Sequence, residues 1–372
     1  IDLKKVIILA VTAAALAMSC TVTTNSESFN REISFQVARH ASATTKADVD
    51  YRIEYENVPF GSYAWYKGEN QADDTEFFKP QNQEISYNAA SNSWTPTGTT
   101  YYWPKSGTLD FISYSPYVDD GTVPAIAENL ISYPAWDVEA NPDADLMYAT
   151  KAVGLSQGIT DNYYYEGGVP TLFHHALAKV AFRIKANRLS MTAETGDKTR
   201  WEITVNSVNI GSIQSTGTLE LPLGDDGKNW TKPGSNVWTP AAAAVSHTID
   251  ITPFELTVEP QPLGDPFLVL PQLIEDGQTV NVNVTIRTFH DDGTGEKPLI
   301  TETGINCPAT LKVAEVDRWG INQYIIYTLV LRPYATITPG PGSDDDPDPV
   351  AISFDPATSD WDVLEATTTI LL

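Results

Sequence analysis

Apolar residues in this chain tend to fall on every second position of short runs, with polar turn residues between the runs. Tyr51-Arg52-Ile53-Glu54-Tyr55 alternates in this way. Val180, Phe182 and Ile184 share one face of a run whose other face carries Ala181, Arg183 and Lys185. Successive side chains of an extended strand point to opposite faces, so a period of two predicts strands with one face in a core. The same reading predicts strands at residues 61–66, 108–116, 201–205, 218–221, 248–251, 267–270 and 280–286, and a hairpin around residues 88–92. Residues 324–331 are apolar at nearly every position, as a central strand is. Short strands at this spacing, punctuated by Gly, Pro and Asn, predict a sandwich rather than a helical fold. The Gly-, Tyr- and Asn-rich stretch 154–168 divides the pattern. The prediction is therefore all-β, with one β-sandwich over 47–168 and a second over 169–337.

Both ends depart from this pattern. Lys4-Lys5 precedes an apolar run, 6–18, that is too short to span a bilayer comfortably. The run ends in Ala17-Met18-Ser19-Cys20, which resembles a bacterial lipobox. Residues 1–19 are thus expected to be a lipoprotein signal peptide, with Cys20 lipidated and anchoring a precursor in the outer membrane. Residues 20–46 form an N-terminal segment. Within it Ile33, Phe35 and Val37 lie on one face of a strand, followed by a small, polar, basic stretch from Arg39 to Lys46. A trypsin-like protease would find its sites there, at Arg39 or Lys46. At the other end, residues 338–349 are rich in Pro, Gly and Asp and cannot pack. A strand-former follows, Val350-Ala351-Ile352-Ser353-Phe354-Asp355-Pro356, with Ile352 and Phe354 on one face. It repeats the tripeptide Ile-Ser-Phe of residues 33–35. A strand on a solvated tether implies a docking partner, and the expected partner is another copy of the chain. Removing the first strand would bare an apolar groove with unpaired backbone groups, and the tail of a neighbour would fill it. Burying Ile352 and Phe354 would contribute roughly 1.5–3 kcal/mol each. Such a contact is head-to-tail and does not close, so it builds a filament. Residues 367–372 are apolar enough to belong in a partner as well.

Charge narrows the partners. The formal net charge of −25 argues against nucleic acid and anionic membrane surfaces. Two cysteines cannot make a disulfide framework, and Cys307 reads as a buried apolar residue. Catalytic and metal chemistry find no anchor. His174-His175 are adjacent, so on a strand they face opposite sides and cannot chelate one ion. The run Asp344-Asp345-Asp346 lacks an ordered scaffold for Ca²⁺. No Gly-rich phosphate loop, Ser elbow or CxxC motif is present, and no carboxylate pair stands out. No cofactor, no metal and no enzymatic activity are expected.

Several motifs then carry a family resemblance over nearly the whole chain. They are Cys20 in its lipobox, Tyr101-Tyr102-Trp103-Pro104 with Leu109-Asp110-Phe111-Ile112-Ser113-Tyr114-Ser115-Pro116, and Phe173-His174-His175-Ala176-Leu177-Ala178-Lys179-Val180. Leu270-Pro271-Gln272, Trp319-Gly320 before Tyr324, and Ile352-Ser353-Phe354-Asp355-Pro356 with Trp361 complete the set. In order and spacing the set resembles the Bacteroidales fimbrillins, the lipoprotein-derived pilins of type V pili. The resemblance implies two tandem transthyretin-like β-sandwich domains with an extended C-terminal donor-strand tail. It implies an Arg- or Lys-specific protease that removes the first strand, accessory pilins as partners, and a mature form in surface fimbriae. The family's Thr-Arg-Ala-like cleavage context maps onto Thr45-Lys46-Ala47, with Lys in place of Arg, and Arg39 stands as a second candidate. Within the family the tail favours a stalk subunit over a tip or anchor. The alternative from another class is a monomeric surface lipoprotein that binds glycan or host protein.

Overall fold

A computed structural model describes residues 32–38, 58–68, 75–91, 93–120, 124–156, 168–193, 196–223, 237–241, 243–314, 316–333 and 362–371, with the side chains of 36–38 and 362–371 outside the description. All regular elements among these residues are strands, as the period of two predicts. The expected strands at 108–116 and 280–286 appear as Thr108–Ser115 and Thr279–Asp291, and the hairpin as Gln83–Asn88 with Ser93–Pro96. The expected strand 51–55 lies outside the described residues.

The N-terminal half is built on a sheet of nine strands. Two of them, Thr75–Glu76 and Ala152–Leu155, are side branches. The other seven close on themselves. Phe60–Lys67 pairs with Gln83–Asn88 and with Thr108–Ser115, which pairs with Met147–Ala149, which pairs with Val169–His175. The ring then runs through Phe35–Ala38 to Ser93–Pro96 and back to Gln83–Asn88. Its interior is filled by Ile33, Phe35, Phe60, Phe78, Trp94 and Phe111, among others. Aromatic rings bury large apolar area with few side-chain torsions to freeze, which suits a small barrel of short strands.

The C-terminal half is a sandwich of two sheets. One is centred on Ala178–Ala186 and Gln323–Arg332, which run parallel through eight paired positions from Lys179↔Tyr324 to Ala186↔Leu331. The other is a long meander of Lys198–Ile213, Thr279–Asp291 and Lys297–Thr310. Val180, Phe182 and Ile184 point into the core between them, as their alternation predicts. Cys307 is there too, buried, with burial pushing its thiol up to about 11.

The sequence pattern puts a boundary between 168 and 169. In the fold, Val169–His175 pairs within the first ring, and the chain enters the second sandwich only after Ala176-Leu177. The halves are also stitched by a sheet that the alternation does not reveal. Leu130–Asp137, from the first half, pairs with Thr216–Pro222 from the second. Pro134 interrupts the pattern and has no N–H to give. The register slips at that point, with Tyr133 opposite Leu219 and Trp136 opposite Gly217, so Pro134-Ala135 bulges past one partner residue. Trp238 donates its indole N–H to the Ala176 carbonyl at 2.7 Å, and the His175 N–H reaches Asn322 Oδ1 at 3.1 Å. These contacts fasten the halves at their junction.

Residues 367–372 read as apolar enough to belong in a partner; within this chain Asp362–Leu371 lies parallel to Gln323–Arg332. The register runs from Gln323↔Asp362 to Arg332↔Leu371. The tail strand thus takes the open edge of its own sheet.

Candidate functional site, the slot of the first strand

The first strand is the stave that closes the ring. Phe35–Ala38 runs parallel to Val169–His175 through four paired positions and meets Ser93–Pro96 at a single one, Phe35↔Trp94. Two further contacts hold its entry. The Ile33 N–H donates to the Tyr101 carbonyl at 2.8 Å, and Glu32 bridges to Tyr102. The Val169 N–H donates to the Ser34 carbonyl at 2.7 Å.

Buried side chains add to its attachment. Ile33 and Phe35 are 1% and 3% exposed. The Phe35 ring stands edge-on to Phe60 at 5.5 Å and to Phe111 at 5.7 Å. Phe60 in turn meets Trp94 at 5.4 Å and Phe173 at 5.2 Å. Val37 lies on the strand opposite Thr171, and its side chain is outside the described residues. Taking away residues 32–38 would leave two facing free edges about 9–10 Å apart, the width of one missing strand. Between them would lie a floor of Phe60, Trp94 and Phe111.

This strand is the first element of the chain order among the described residues. It enters the ring from the N-terminal side, and the only covalent link onward runs through residues 39–57 to Phe60–Lys67. Arg39 and Lys46 belong to that link and lie outside the described residues, as do Cys20, Ile352 and Phe354.

The other motif residues are structural in place. His174 Nε2 is 2.9 Å from Thr150 Oγ1, and the ring packs on Tyr148. His175 Nδ1 is 2.7 Å from Asp145 Oδ2, on the other side of the strand. Gln272 is buried and spans three backbone groups: its Nε2 donates to the Gln214 and Leu270 carbonyls, and its Oε1 accepts from the Gln214 N–H. Trp319 donates to the Tyr327 hydroxyl at 3.0 Å. Among the described residues no three His, Cys, Asp or Glu side chains are grouped to hold a metal ion.

A model of the family described as fimbrillin-like matches residues 45–338, well over half of the chain. The chain belongs to the fimbrillin-like family. Solved structures resemble this fimbrillin-like chain at low identity. A candidate cell adhesion protein of Bacteroides uniformis is 19% identical, with 80% of this chain and 93% of that chain covered and a TM-score of 0.44. A candidate cell adhesion protein of Bacteroides eggerthii is 13% identical, with 92% and 98% covered and a TM-score of 0.37. A fimbrial assembly protein of Parabacteroides distasonis is 10% identical, with 78% and 98% covered and a TM-score of 0.29. At these scores the family match alone carries the assignment. No curated protein matches the chain.

Proposed function

We propose that this fimbrillin-like protein is a structural subunit of a cell-surface fimbria, a stalk pilin polymerised by donor-strand exchange. The observation that carries the reading is the closure of the N-terminal ring by a strand held through one tether. A trypsin-like cut at Lys46 or Arg39 would release residues 32–38 with everything before them. The opened slot offers unpaired backbone on both rims and an aromatic floor, and an extended segment fits it by strand addition. The occupant in this reading is the tail of another copy, with Ile352 at the place of Ile33 and Phe354 at the place of Phe35. Each copy has one slot and one tail, so the contact propagates. The chain then divides into two units at about residues 176–177. The precursor is held at the outer membrane through lipidated Cys20, accessory pilins join it in the fibre, and the protein is not an enzyme.

A second reading has its own observation. Asp362–Leu371 pairs with its own chain, which suits a self-contained surface protein binding glycan or host protein. Brief trypsin digestion of the chain lacking residues 1–20 separates the two. N-terminal sequencing and an unheated denaturing gel are the readouts. Cleavage within 39–46 followed by a detergent-resistant ladder is the expected result. Cleavage there with a chain that stays monomeric overturns the stalk reading.

A further inference from the structure

The turn Glu128-Asn129, between Ala125–Ala127 and Leu130–Asp137, folds over a lysine that is shut off from water. Lys151 is 2% exposed and Asp110 is 0% exposed. Lys151 Nζ lies 2.7 Å from Asn129 Oδ1 and 3.4 Å from Asp110 Oδ2. The Gly154 N–H fixes Asp110 by donating to Oδ1 at 2.7 Å. Lys67 Nζ sits 3.0 Å from Asp110 Oδ2 and 3.2 Å from Glu128 Oε1, and Lys151 is 4.0 Å from that same Glu128 oxygen. Strand assembly makes no use of this cluster. A lysine ammonium only donates, so the amide of Asn129 must turn its oxygen, and with it the carbonyl carbon, toward the amine. A nucleophile, an acyl group and a proton carrier therefore meet at contact distance on a rigid frame. Such placement favours a reaction that is negligible between free side chains.

We propose that Lys151 and Asn129 form an intramolecular isopeptide bond. The Lys151 ammonium gives a proton to Asp110, and the freed amine attacks Asn129 Cγ. Asp110 then relays protons from the new C–N linkage to the Asn129 Nδ2 nitrogen. The Cγ–Nδ2 bond breaks and ammonium leaves past the partly exposed turn. One C–N bond forms and one breaks, nothing is oxidised or reduced, and Asp110 ends as a carboxylate beside Lys67. The bond ties the tip of the hairpin that pairs with Thr216–Pro222 to Lys151, the residue just before Ala152–Leu155, which pairs with Thr108–Ser115 of the first ring. The link lies within the first half and would anchor there the hairpin whose second strand pairs with the second half.

Mass spectrometry of the folded chain tests this directly. The expected protein is about 17 Da lighter than its sequence, the mass of one ammonia, and its digest contains the peptides of residues 129 and 151 joined. Asn129→Ala keeps the Lys151–Asp110 contact but removes the acyl group, and should have its full sequence mass. Asp110→Asn should also be unlinked, though it bears on the proton carrier only if it folds. An unlinked wild-type chain of full mass, once folded as judged by a cooperative urea transition, overturns the proposal. So does a loss of about 18 Da mapping to a Lys151–Asp110 amide.

Discussion

In the strand-exchange reading proposed above, Phe35 is held firmly in the uncut subunit and replaced after a cut. Its ring is buried against Phe60 and Phe111, so Phe35→Ala in the uncut chain should cost about 3–5 kcal/mol in a urea titration. Ile33→Val removes one methyl group and should cost about 0.5–1.5 kcal/mol. The alternation of Ile33, Phe35 and Val37 is legible in the sequence, because a two-residue period needs no knowledge of the partner. The partners themselves are not legible. Phe60, Trp94 and Phe111 come from three separated strands, and only the closed ring brings them to one floor. The cluster at Lys151 escapes the sequence for the same reason. Asp110, Asn129 and Lys151 sit in unremarkable local contexts and meet only in three dimensions. Likewise His174-His175 are legible as unfit for one metal ion, while their partners Thr150 and Asp145 are not.

At the level of elements, the tail has two strand-forming parts. Asp362–Leu371 lies along Gln323–Arg332 of its own chain, while residues 350–356 carry the Ile-Ser-Phe repeat of the first strand. If the second part is the donor, the two should be separable by truncation. A chain ending at residue 361 should still form the unheated ladder after cleavage, and one ending at residue 337 should not. Loss of the ladder in both would move the donor role to residues 362–371. Strand periodicity located most long elements correctly. It missed Leu130–Asp137 because Pro134 breaks the alternation and the bulge shifts the faces. It places the division at 168–169. Residues 154–168 have a linker's composition, but the strand after them still has a place in the first ring.

For the whole molecule, buried tyrosines set an alkaline limit. Burial pushes the Tyr133 hydroxyl well above its usual value near 10, and raises Tyr327 and Tyr114 too. Above about pH 10 the unfolded chain gives up these protons while the folded chain keeps them. The stabilisation is therefore complete below that pH and lost as pH rises beyond it. Each such tyrosine should remove about 1.4 kcal/mol per pH unit, measured by urea titrations from pH 9 to pH 11.5. The charge of −25 acts over the same scale: it disfavours association of free subunits, and in the proposed reading short-range strand pairing overcomes it.

Two half-competent chains test that pairing most directly. On the proposed reading, residues 47–337 would have an open slot and no tail and could only accept. Residues 21–372, uncut, would have a tail and a filled slot and could only donate. Mixed and run on a sizing column, they should give a one-to-one heterodimer that grows no further, with each chain alone remaining monomeric. A mixture that stays monomeric, or a chain that associates equally well by itself, would contradict exchange of a strand between subunits.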